Sequence, residues 1–76
     1  MSLVSKDESL TTSMAHIGYL ILKEFENAEE DRLSLTAITS GLRQKKIIQY
    51  RPIIFALLFL HVAGAIDFKA PYVYKL

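Results

Sequence analysis

Between Ile53 and Ala63 the chain offers Ile, Ile, Phe, Ala, Leu, Leu, Phe, Leu, His, Val and Ala, and only His61 is polar. A helix laid on a small core needs one apolar stripe, not an apolar circumference. The whole chain has 76 residues, which is one small domain. A domain of that size buries only about 60% of its unfolded surface. No cysteine is available to staple it by disulfide or thiolate metal site. Yet 51% of the residues are hydrophobic and 22% charged. Such a core cannot hide all of this apolar surface, and exposed apolar patches mark interaction sites.

A membrane span is the competing reading of the same stretch. A bilayer needs about 20 apolar residues. Here Gln49 and Arg51 on one side and Gly64, Asp67 and Lys69 on the other cut the run short. The opening "MSLVSKDESL" carries Asp7 and Glu8 and has no apolar segment directly behind it, unlike a signal peptide. The lack of cysteine agrees with a reducing cytoplasm.

Residues 1–10 read as an extended N-terminal arm, and residues 11–76 as the single folded domain. A first helix is expected from about Thr12 to Ala28, capped by Thr11, Thr12 or Ser13. Met14, Ile17, Ile21 and Phe25 recur at helical spacing and share its buried face. Gly18 inside this helix costs roughly 1 kcal/mol relative to Ala, which a close helix crossing would offset. "NAEEDR" reads as a solvated turn. Ser34 is then a good cap for a second helix, with Leu33 and Ile38 as a hydrophobic staple. Leu35, Ile38 and Leu42 are its inward stripe, and it should end near Arg43 to Lys45. Ile47 and Ile48 read as a short extended piece.

Pro52 suits the first turn of a third helix, and Gly64 suits its termination. Ile66 and Phe68 alternate with Asp67, and Tyr72 and Tyr74 with Val73, about a turn at Lys69 to Pro71. That is a β-hairpin pattern. Tyr72 and Tyr74 make one face of the strand aromatic and read first as turning inward to pack, second as stacking on a base. Three helices followed by a hairpin give a mainly α fold with a small β-hairpin, the order of a winged helix-turn-helix domain.

In a DNA-binding domain of this kind the third helix would enter the major groove and carry polar side chains for base edges. Between Ile53 and Ala63 there is no Arg, Lys, Asn or Gln. This helix is suited to a protein groove, and Ile54, Leu57, Leu58 and His61 are expected to form the partner-binding side. Net charge is only +1, but Arg43, Lys45, Lys46 and Arg51 cluster in sequence near the turn. They read first as a solvated loop, second as phosphate contacts, and third as salt bridges to an acidic partner.

His16 and His61 have no cysteine or close carboxylate at metal-ligand spacing, so no metal or cofactor is expected. His16 reads as solvated. His61 reads as a core-edge residue whose nitrogen meets a carbonyl, or as an interface contact. The three glycines are scattered rather than gathered in a phosphate-binding loop, and Ser34, Thr39 and Ser40 fit capping and helix-end roles. A non-enzyme is expected.

The Ile17–Gly18 pair in "HIGYLIL", Lys6 in the arm, and the aromatic-led apolar stretch from Tyr50 to Ile66 with its Gly-Ala-Ile ending resemble one known family. It is the middle component of bacterial ABC-three-component systems, in particular the short group called middle component 6. The likeness spans most of the chain. One departure is Leu58, where that family usually carries an acidic residue. The resemblance implies a winged helix adaptor that bridges a Rad50- or SMC-like ABC ATPase and an effector protein in defence against phages and mobile elements, overlapping with Lamassu-type systems. Homo-oligomers are a further possibility. The alternative from the residues themselves is a small winged helix DNA-binding regulator.

Overall fold

A computed structural model describes residues 3–47 and 49–76, and for residues 3–13 the backbone alone. Six elements follow one another: α1 (Leu3–Ala28), β1 (Arg32–Ser34), α2 (Leu35–Gln44), α3 (Tyr50–Val62), β2 (Ile66–Lys69) and β3 (Tyr72–Lys75). The protein is mainly helical, with a three-stranded antiparallel sheet in the order β1-β3-β2.

Helix α1 begins at Leu3, so the expected extended arm is helical instead. No Gly or Pro interrupts the sequence between Leu3 and Ile17, and a helix once nucleated propagates through such residues. The side chain of Lys6 lies outside the described residues. Ile17, Ile21 and Phe25 of α1 are buried, as their spacing requires, while His16 is exposed.

Helix α2 starts where its cap predicts. Ser34 Oγ accepts a hydrogen bond from the Ala37 N–H at 3.0 Å, and Ile38 and Leu42 face the core. The residues before it are not a simple turn. Arg32–Ser34 pairs with β3, with Leu33 opposite Val73. Three residues are too few to announce a strand; the pairing with β3 imposes it.

The hairpin forms as expected, with Ile66 opposite Lys75 and Phe68 opposite Val73. Ala70 and cis Pro71 make the loop. Val73 is the buried residue of β3, so Tyr72 and Tyr74 lie on the solvent side of the sheet, contrary to expectation. The tyrosine rings instead carry cations: Arg32 Cζ sits 4.4 Å from the Tyr72 ring centre and Lys69 Nζ 5.6 Å from that of Tyr74.

All three helices end alike. Glu29, Lys46 and Gly64 adopt positive φ of 55°, 68° and 80°. Each N–H bonds back to Glu26, Arg43 or His61, and the next residue bonds to Phe25, Leu42 or Leu60. This is the double hydrogen-bonded helix end with a left-handed residue. Only the third uses glycine.

The core gathers α1, α2, α3 and the inner face of the sheet: Ile21, Phe25, Ile38, Leu42, Leu57, Ile66 and Val73 are fully covered. Helices α1 and α3 have the most extensive mutual packing. Ile47 packs against this core outside any regular element, and Ile48 lies outside the described residues.

Candidate functional site

Helix α3 has two apolar stripes. Ile53, Ala56, Leu57 and Leu60 are buried against the rest of the chain. Phe55, Leu58, Phe59 and Val62 are 41, 48, 44 and 86% exposed. Each set follows the i, i+3, i+4, i+7 spacing of one helix face. At about 100° per residue the two sets lie on opposite sides of the helix. Arg51, four residues before Phe55, extends the outward line at its N-terminal end and is exposed.

The expected partner-binding side was Ile54, Leu57, Leu58 and His61. Leu57 is 1% exposed and belongs to the core, so it cannot meet a partner without unfolding. Ile54 is half-buried on the core margin. Leu58 and His61 are exposed. The expected face was therefore turned by about a quarter of a helical revolution from the exposed one. Phe55, Phe59 and Val62 are the residues that the sequence reading missed. A helix apolar all round gives no internal signal of which side faces in.

His61 has a defined place. Its Nδ1 lies 3.2 Å from the carbonyl oxygen of Ile66, and its ring centre is 5.1 Å from that of Phe68. The ladder explains why that carbonyl needs a partner. Leu76 N–H bonds Ala65 O, and Lys75 N–H bonds Asp31 O. Bonds across antiparallel strands alternate, so β3 uses residues 72, 74 and 76 toward β2 and residues 71, 73 and 75 toward β1. Ile66 and Phe68 then point their backbone groups away from the sheet. His61 meets the Ile66 carbonyl, and the Phe68 N–H donates to Asp67 Oδ1 at 2.8 Å. Two side chains thus occupy part of the open edge of β2.

The four basic residues do not act as one unit. Lys45 Nζ lies 2.9 Å from Glu24 Oε2, which ties the end of α2 to α1. Arg43 and Lys46 are exposed at the end of α2, and Arg51 opens α3. A surface pair joins Lys23 Nζ and Glu26 Oε1 at 3.0 Å. The hydrogen bond from Lys23 holds the Glu26 carboxyl below its ordinary range, and the same bond raises the Lys23 ammonium. Such exposed pairs contribute little to stability. Among the described residues no three of His, Asp and Glu gather where they could hold a metal ion, and no helix is long and apolar enough to cross a membrane.

The arrangement therefore defines a small helical domain with a sheet on one side and an apolar helix stripe turned to solvent. Comparison with protein families, with curated proteins and with solved structures gave no match.

Proposed function

We propose that this chain is a winged helix domain acting as a small, non-enzymatic protein–protein adaptor, with the outward stripe of α3 as its docking face. One observation carries the reading: Phe55, Leu58, Phe59 and Val62 face solvent on an element whose other side supplies the core. Apolar anchors at this spacing are how a helix is held in a partner's groove. The order helix, strand, helix, helix, hairpin supports the winged helix assignment. In the setting that the family resemblance implies, the partners are a Rad50- or SMC-like ABC ATPase and an effector, bridged in the cytoplasm during anti-phage defence. A bridge needs two faces, and the solvent side of the sheet, with Arg32 on Tyr72 and Lys69 on Tyr74, supplies the second. A DNA-binding regulator has less support, because Arg51 at the first turn is the only Arg, Lys, Asn or Gln in α3.

The test is capture by the proteins encoded beside this gene, co-expressed with the wild type and with Leu58→Asp. Burying one Leu or Phe side chain is worth roughly 1.5–3 kcal/mol. Stranding a charge there costs more. Leu58→Asp should retain the helical circular dichroism signal and lose capture of the ATPase. A folded variant that captures its partners as well as the wild type does would remove α3 from the interface.

A further inference from the structure

We propose that a second copy of this chain occupies the outward stripe of α3, antiparallel to it about a two-fold axis, when no larger partner is bound. The inference rests on reading the stripe as a docking face and names what covers it at rest.

The stripe is self-complementary in size. A two-fold axis between Leu58 and Phe59 places Phe55 of one copy opposite Val62 of the other, and Leu58 opposite Phe59. Each large ring then meets a smaller aliphatic side chain, the interdigitation that close helix packing needs. A parallel arrangement would set Phe55 on Phe55 and Val62 on Val62, crowding one end and leaving a gap at the other.

The stripe is also self-complementary in charge. Arg51 stands on the outward line one turn before Phe55. Antiparallel pairing carries it past Val62 to the carbonyl end of the other α3, where a cation is favoured. Parallel pairing would bring the two Arg51 side chains together. No charged residue lies between Phe55 and Val62 to oppose contact, and a net charge of +1 gives little repulsion between copies. Isologous pairing of this kind closes on itself and does not polymerise.

The consequence is regulatory. Free chain stores its docking face in the homodimer, and a partner must bind more tightly than the second copy does. Adaptor in excess of its partner is then held silent.

Cross-linking reads both the contact and its direction, since the natural chain has no cysteine. Full-length Leu58→Cys should form a disulfide dimer with itself under mild oxidation. Phe55→Cys mixed with Val62→Cys should cross-link between the two variants much faster than either does alone. Sedimentation of the wild type should show a concentration-dependent dimer, weakened about tenfold or more in Leu58→Asp. A wild type that stays monomeric at millimolar concentration, or Phe55→Cys that cross-links fastest with itself, overturns the proposal. The two readings fail separately. A monomeric wild type whose partner capture is lost in Leu58→Asp sinks the homodimer alone. A dimer dissociated by Leu58→Asp, with partner capture unchanged, sinks the adaptor face alone.

Discussion

Gly18 of α1 lies directly against Leu60 of α3: a Cβ built on Gly18 would meet Leu60 Cδ2 at 3.3 Å and Phe59 Cδ2 at 3.8 Å. The glycine in mid-helix is therefore a packing requirement. Leu60 is buried and has little room to yield. Gly18→Val should destabilise the chain by about 1–3 kcal/mol through overpacking, read from urea denaturation midpoints. Gly41 is the contrast. A Cβ there would collide with the Glu24 carboxylate, the far end of a flexible side chain. Gly41→Ala displaces Glu24 and weakens its pair with Lys45, but recovers roughly 1 kcal/mol of helix propensity. Its net effect should lie within about 1 kcal/mol of zero, because a partly exposed ion pair is worth no more than that. A large loss at Gly41, or none at Gly18, would contradict this account.

The residues that end the helices allow a test of sign. Glu29 and Lys46 hold left-handed backbone that only glycine takes without cost. Glu29→Gly should stabilise by up to about 1 kcal/mol and also removes a negative charge from a helix C-terminus, whereas Lys46→Gly loses a favourable positive charge that offsets part of the same backbone gain. Gly64→Ala should cost about 1 kcal/mol, although nothing lies within 4 Å of the added atom. Thermal melts of the three variants decide it: the order Glu29→Gly above Lys46→Gly, and wild type above Gly64→Ala, is expected.

Leu57 and Leu58 are adjacent in sequence and opposite in environment, at 1% and 48% exposed. Leu57→Ala should lose about 2–5 kcal/mol of stability. At concentrations where the chain is monomeric, Leu58→Ala should change it by no more than about 0.5 kcal/mol. Equal losses at the two positions would mean that the faces of α3 are misassigned.

How much of this was legible follows from what each residue signals. The second helix was readable because Ser34 caps it and Ile38 and Leu42 keep one period. The hairpin was readable because alternation on both sides of Pro71 has only one use. Alternation fixed that Val73 and the two tyrosines face opposite ways, but not which face is inside. An aromatic face on the strand suggested that Tyr72 and Tyr74 turn inward, whereas Val73 is the buried residue. Strand β1 was hidden because Arg32 and Ser34 are polar and only β3 makes them a strand. The exposed apolar side of α3 was half legible: that α3 must have one follows from composition, but its phase does not. Periodicity alone therefore does not tell Leu57, which is core, from Phe55, Phe59 and Val62, which are exposed.

Edge strand β2 gives a prediction about solubility. His61 and Asp67 occupy outward backbone groups of Ile66 and Phe68. An open edge is a template for pairing with another chain. The double variant His61→Ala, Asp67→Ala should aggregate faster than the wild type on mild heating, followed by light scattering. Asp67→Asn keeps a side-chain oxygen and should behave close to the wild type. Unchanged aggregation in the double variant would show that the edge is protected by other means.

The two stripes of α3 also bear on how such a chain can change over time. The buried stripe and the proposed docking stripe occupy interleaved positions on one helix, four on each side. A duplicate gene could acquire a new partner by altering Phe55, Leu58, Phe59 and Val62 while Ile53, Ala56, Leu57 and Leu60 stay fixed. Partner choice would then drift at every third or fourth residue without disturbing the scaffold. Ile54 and His61 lie on the flank between the two sets, and His61 is already engaged with the sheet.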